Sequence, residues 1–152
     1  MIRTESEYRE ALARLEDEKA RMDQEHQRLE DQGLTSEEID LVTAAVRSFH
    51  EQLVEEVQGY ERLLRGDFDE LQNFQGLGRL LIGLRIFQGI TQRGLAERLG
   101  VSESQVSRDE RNEYHNVTID RAQRILEAMG IELETRVKPT LRKSPVPRGL
   151  AG

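Results

Sequence analysis

The 152-residue sequence predicts a mainly α fold: two long helices in an antiparallel hairpin, a cluster of short helices, and one short strand near the C-terminal end. Three observations carry this. Apolar residues recur at steps of three and four over most of the chain instead of alternating. Threonines or serines able to cap a helix stand before the apolar runs, and glycines stand after them. The composition is also very polar, with 34% charged residues and a mean hydropathy of −0.67. Long helices that bury only a stripe suit such a chain better than a large spherical core.

Taken in order, Thr4 caps the first helix, and Glu5, Glu7 and Glu10 complement its positive end. Tyr8, Leu15, Met22 and Leu29 repeat every seven residues, with Leu12, Lys19 and His26 between them. This reads as a heptad seam with a weak second row, in which His26 is a polar residue tolerated in the core. The helix is expected to end near Gln32, with Gly33 just past it. Thr35 and Glu38 form a capping box for the second helix. Its apolar face is Ile39, Val42, Val46, Phe49, Leu53, Val57, Tyr60 and Leu64, and Gly66 stops it. Each helix spans about 42 Å at ~1.5 Å per residue, and the short link at Gly33 makes them antiparallel neighbours.

Asp67 to Gln75 reads as a connector anchored by Phe68 and Leu71. Leu77, Leu80, Leu81, Leu84 and Phe87 form the apolar face of a third helix ending at Gly89. Thr118 caps a later helix that carries Ala122, Ile125, Leu126 and Met129 and closes at Gly130. Ile131, Leu133, Thr135 and Val137 alternate with charged residues, the period of a strand. A lone strand is unstable, so its expected mate is the same strand of a second subunit. From residue 138 onward, three prolines and four basic residues with no acid read as a disordered basic tail. The division is therefore a hairpin at 4–66, a second domain at 74–137 that includes the strand, and the tail at 138–152.

The net charge of −7 is unevenly spread: residues 1–66 carry 9 basic and 17 acidic side chains, whereas 77–130 carry 8 and 7. The acidic half is not expected to lie on a polyanion. No apolar run approaches the roughly 18 residues of a membrane span, the first residues lack a signal-peptide core, and there is no cysteine. A cytoplasmic location is the expectation. His26, His50 and His115 are too dispersed to hold a metal, and Gly76-Leu77-Gly78 lacks the strand and Lys-Ser/Thr of a phosphate-binding loop. No nucleophile, base and orienting group come together. Neither an enzyme nor a cofactor is expected.

The most specific signal lies between residues 90 and 112. Thr91 caps a short helix with Leu95, Ala96 and Leu99 facing inward, and small Ala96 lets a second helix cross closely. Gly100 permits the positive φ of a tight turn, and Val101 plugs it. Ser102 caps the next helix, whose buried positions are Val106 and Glu110. Two short capped helices separated by a glycine are the pattern of a helix-turn-helix reader of the DNA major groove. Its exposed face presents Glu103, Ser104, Ser107 and Arg108 as candidates for base contact. Arg108 is foremost, because a guanidinium pairs with both major-groove acceptors of guanine. Thr91, Gln92, Arg93, Ser102, Arg111 and Asn112 are the candidates for phosphate contact. Tyr114, His115 and Asn116 either touch the DNA backbone or only form the loop to the next helix.

Gly89-Ile90-Thr91-Gln92, Leu95-Ala96, Leu99-Gly100-Val101-Ser102, Val106-Ser107-Arg108, Glu110 and Ala128-Met129-Gly130 resemble the phage Cro/repressor (XRE) class of helix-turn-helix proteins. With its helical hairpin first, the chain resembles bacterial XRE regulators of the HigA-antitoxin type. The resemblance implies a five-helix, lambda-repressor-like domain, homodimeric binding to a palindromic double-stranded DNA operator, transcription regulation, and no catalysis. It also implies a structural ion pair between Arg85 and Glu110. Three residues depart from the pattern. Gly94 inside a helix costs about 1 kcal/mol relative to Ala, and Glu103 and Asp109 place acids near phosphates. These departures predict a modest affinity for DNA that depends on dimerisation. The hairpin reads either as a passive dimerisation arm or as an acidic surface that holds a partner such as a toxin. In the alternative reading, the protein sequesters such a partner and its helix-turn-helix is degenerate.

Overall fold

The computed structural model describes residues 1–138. They form six helices: α1 (Glu5–Asp31), α2 (Ser36–Leu64), α3 (Leu77–Phe87), α4 (Gln92–Leu99), α5 (Glu103–Arg111) and α6 (Ile119–Met129). The basic tail expected at 138–152 lies, beyond Lys138, outside the described residues.

Local chemistry sets each helix boundary. Thr4 and Thr35 each accept from the backbone N–H three residues on, and Glu7 and Glu38 reach back to the cap in two complete capping boxes. Both Glu38 bonds favour the ionised carboxylate, and the Thr35 backbone N–H is the larger cause holding its pKa below the usual range. Thr91, Ser102 and Thr118 cap α4, α5 and α6 with the forward bond alone, accepting from the backbone N–H three residues on. Gly100 and Gly130 close α4 and α6 in the left-handed conformation that glycine adopts without steric cost.

α1 and α2 pack antiparallel. Tyr8 stacks on Tyr60 at 5.0 Å and its hydroxyl donates to Glu61 at 2.8 Å, while Glu18 meets His50 at 3.4 Å. The base of this pair joins the rest of the chain: Ile2, Ala11, Val57 and Tyr60 share one apolar core with Leu81, Ile82, Leu95, Val106, Ala122 and Ile125. Phe68 and Leu71 pack against that core from the connector, and Phe68 meets Phe87 edge-on at 5.8 Å. No helix among the described residues is long and apolar enough to cross a membrane.

Five expectations are corrected. The domain after the connector has four helices, α3–α6, where five were expected, because Gly130 ends α6 and the period of the following residues is not helical. The strand expected at 131–137 does not form in the single chain, since no neighbouring segment offers it backbone partners. His26 is not in the core: it stands exposed and pairs with Glu30 at 3.3 Å. α1 packs chiefly on α2, so one heptad row faces inward and the row of Leu12, Lys19 and His26 faces solvent. On α2, Ile39, Val57 and Tyr60 are buried, but Val42, Val46, Phe49 and Leu64 are exposed. The stripe was wider than one partner helix covers. Phe87, on the apolar face expected of α3, is about half exposed.

Candidate nucleic-acid interface

α4 and α5 are joined by Gly100, Val101 and Ser102, with Gly100 at φ 67° and Ser102 already extended as the next cap. Leu95, Ala96 and Val106 are almost fully buried where the two helices cross. Val101 bonds its N–H to the Ala96 carbonyl at 3.0 Å, which fixes the turn. Every side chain in this crossing is small or branched, so α5 is held close to α4 with one face free.

That face presents Glu103, Ser104, Arg108, Arg111 and Asn112 to solvent, with Ser107 half-buried beside them. Ser102 Oγ accepts from the Gln105 N–H at 3.2 Å and lies 3.1 Å from Ser104 Oγ. Arg108 folds back along the helix, its Nε 3.4 Å from the Ser104 carbonyl. This is a weak bond at the limit of useful geometry, easily exchanged for a stronger acceptor. Asn112 is the C-cap residue of α5.

At the start of α4, Thr91 Oγ1 accepts from the Gly94 N–H at 2.9 Å. Arg93 pairs with Glu97 at 3.2 Å, both exposed. Such a pair contributes ~0–1 kcal/mol and does not hold the guanidinium in place. Gln92 differs from the expectation of an amide pointing outward: its Nε2 donates to Glu110 Oε2 at 2.8 Å. The carboxylate of Glu110 is the strongest acceptor within reach and draws the amide inward. One amide N–H and the amide oxygen have no partner among the described residues.

Beneath the face lies a buried ionic network. Arg85 is 3% and Glu110 0% exposed. Arg85 Nε donates to Glu110 Oε1 at 2.5 Å and Nη2 to Oε2 at 2.7 Å. The guanidinium also donates to the carbonyls of Ile90 at 2.8 Å and Arg3 at 2.9 Å. One side chain of α3 therefore ties together α5, the residue before the cap of α4 and the segment leading into α1. Among the described residues, no buried side-chain N or O lacks a hydrogen-bond partner.

The acids near the face are largely accounted for. Asp109 is held by Arg121 at 3.1 Å and Glu113 by Arg79 at 2.9 Å. Glu103 is the acid left on the exposed face of α5, against Arg108 and Arg111. The partners Arg121, Arg79 and Arg3 are distant in sequence and have no local pattern to announce them. Of the loop after α5, Tyr114 is core, its hydroxyl pKa raised chiefly by burial, whereas His115 and Asn116 are exposed. α3 lies hard against this loop: a Cβ on Gly78 would fall 1.8 Å from the Glu113 carbonyl oxygen.

The pieces of a major-groove reader are thus assembled: a rigid two-helix crossing, a polar free face on the second helix, and capped N-termini beside it. Residues 84–135 match the helix-turn-helix family model. The match spans the last four residues of α3 and all of α4–α6, ends in the segment after them, and leaves out α1 and α2. It supports a DNA-binding transcriptional regulator of the XRE type. No curated protein and no solved structure matches the chain.

Proposed function

We propose that the protein is a sequence-specific autorepressor, a homodimer that binds a palindromic operator in its own promoter and acts as the antitoxin-type regulator of a toxin–antitoxin operon. The observation that carries the DNA reading is the free face of α5. Arg108 is exposed there, held only by a 3.4 Å contact to its own helix, on an element whose position is set by the buried pair of Glu110 and Arg85. In this reading Ser104, Ser107, Arg108 and Glu103 meet base edges. Thr91, Arg93, Ser102, Arg111 and Asn112 hold phosphates, and Gln92 adds its remaining amide N–H. The acidic hairpin, with 17 acids against 9 bases over residues 1–66, stays off the DNA and faces a basic toxin.

The test is a fluorescence-anisotropy titration against the protein's own promoter and a scrambled duplex, at two salt concentrations. Promoter-specific binding that weakens with salt is expected, because displaced counterions carry the non-specific part. Arg108→Ala is expected to lose about 1–3 kcal/mol on the promoter and little on the scrambled duplex. Equal binding of both duplexes by the wild type refutes the reading. It would favour the second function, a module that sequesters a protein partner through the hairpin.

A further inference from the structure

The distal half of α2 carries an apolar face that nothing among the described residues covers. Leu41, Val42, Val46 and Phe49 are 79, 60, 54 and 69% exposed, and Ala45 between them is exposed as well. At about 100° per residue, these five side chains occupy one continuous sector of roughly 140°. The sector borders an open groove of about 570 Å³ against α1, floored by Met22, Val42, Val46 and Phe49. Large apolar residues scattered singly on a surface need no explanation, but a contiguous set of this kind marks an interaction site.

Charge narrows the occupant. The hairpin is dense in acids, yet residues 41–49 hold a single charged side chain, Arg47. Arg47 is turned to the opposite side of the helix, where it pairs with Asp40 at 2.9 Å. A basic partner would be recognised by a net acidic surface; this sector has no acid, and the α1 wall of the groove balances Glu18 and Glu25 with Arg14 and Arg21. A membrane surface would call for flanking Lys and Arg, and the flanks carry Glu37, Glu38, Asp40 and Glu51. The chemistry that fits is an uncharged apolar helix of similar length, and α2 is itself such a helix.

We propose that this face is the seam of a homodimer in which two copies of α2 cross antiparallel at Ala45. That register places Leu41 of each copy against Phe49 of the other, with small Ala45 side chains at the crossing so that the backbones approach. The charges agree with it. Glu37 falls opposite Leu53, Glu38 opposite Gln52, Asp40 opposite His50, Arg47 opposite Thr43 and Glu51 opposite Ile39, so no two like charges meet. Self-complementarity of this kind is what a two-fold interface requires. The proposal does not rest on the reading of DNA, since assembly is measured without it.

The full chain is tested by sedimentation velocity at micromolar concentration. A dimer is expected for the wild type, with dissociation at least about tenfold easier for Phe49→Glu. Circular dichroism confirms that this variant stays helical, since the site is exposed. Because the sequence has no cysteine, Ala45→Cys reports the register. Under mild oxidation it should form a covalent dimer. Glu55→Cys should not, because its two copies would stand about 30 Å apart at ~1.5 Å per residue. A monomeric wild type overturns the proposal. So does a dimer insensitive to Phe49→Glu with no cross-link at Ala45→Cys, which would place the seam elsewhere, such as at 131–137. A Phe49→Glu variant that loses a different protein while its own mass distribution is unchanged would also overturn it.

Discussion

Replacing Glu110 by Gln removes one charge and almost no volume. In the wild type the carboxylate is fully buried and accepts two bonds from Arg85 and one from Gln92. In the variant the guanidinium stays 3% exposed with its charge uncompensated. Its bonds to the Ile90 and Arg3 carbonyls remain, and the new amide oxygen restores one more. Breaking one side of a buried pair costs about 3–5 kcal/mol, and the retained acceptors put this case near the lower figure. A loss of about 3 kcal/mol lowers Tm by roughly 6–12 °C for a chain of this size. Urea denaturation at neutral pH, followed by far-ultraviolet circular dichroism, measures it. Glu110→Leu alone should be less stable than Glu110→Leu combined with Arg85→Met, because the double variant strands no charge. A loss below about 1 kcal/mol for Glu110→Gln would refute the argument that the pair, rather than the carbonyl bonds around it, fixes α5.

Two further outcomes follow. Gly78→Ala drives a Cβ into the Glu113 backbone carbonyl, a 1.8 Å approach that no side-chain rotation relieves. It should destabilise by at least about 2 kcal/mol, read as a lower urea midpoint. The second concerns acid. The folded-state pKa of Glu38 is depressed by its bonds to Thr35, so its contribution is present at neutral pH and is lost as pH falls through that depressed value. Thr35→Ala should cost about 1 kcal/mol at neutral pH and give a shallower loss of stability on acidification, measured by urea midpoints across the acid range. The backbone N–H of residue 35 survives this substitution, so the slope flattens only in part, and an unchanged slope would show that the hydroxyl's bond has no share in it.

What the sequence revealed and what it hid divide along physical lines. The caps at Thr4, Thr35, Thr91, Ser102 and Thr118, and the glycines at 100 and 130, are local devices: each satisfies or ends a helix within four residues, so each is written in the chain where it acts. The helix-turn-helix crossing was legible for the same reason. Burial was less so, because periodicity shows which face is apolar but not how much partner surface faces it. Val42, Val46 and Phe49 follow the spacing of Ile39 and Val57 and yet stand in solvent. The place of Gln92 at the start of α4 was visible in the sequence, whereas its bond to Glu110, eighteen residues on, was not. The ion pairs of Asp109 with Arg121 and of Arg79 with Glu113 depend on how helices pack, and no spacing rule encodes them.

The same network bears on how the two halves of the molecule influence each other. The Arg3 carbonyl, just before the cap of α1, accepts from the guanidinium that holds α5 through Glu110. Ile2 beside it is 5% exposed and lies in the shared core. A movement of α1 relative to α3 must therefore either carry the Arg3 carbonyl with it or leave Arg85 one acceptor short, and a hydrogen bond to a charged group contributes about 1.5–3 kcal/mol. That is enough to change an equilibrium of the reading helix by an order of magnitude or more. The surface proposed as a dimer seam lies on the far half of α2, well away from this joint, so assembly there leaves Arg85 undisturbed. In the DNA-binding reading proposed above, a partner gripping the hairpin near its base would act on this joint and, through Arg85, on α5.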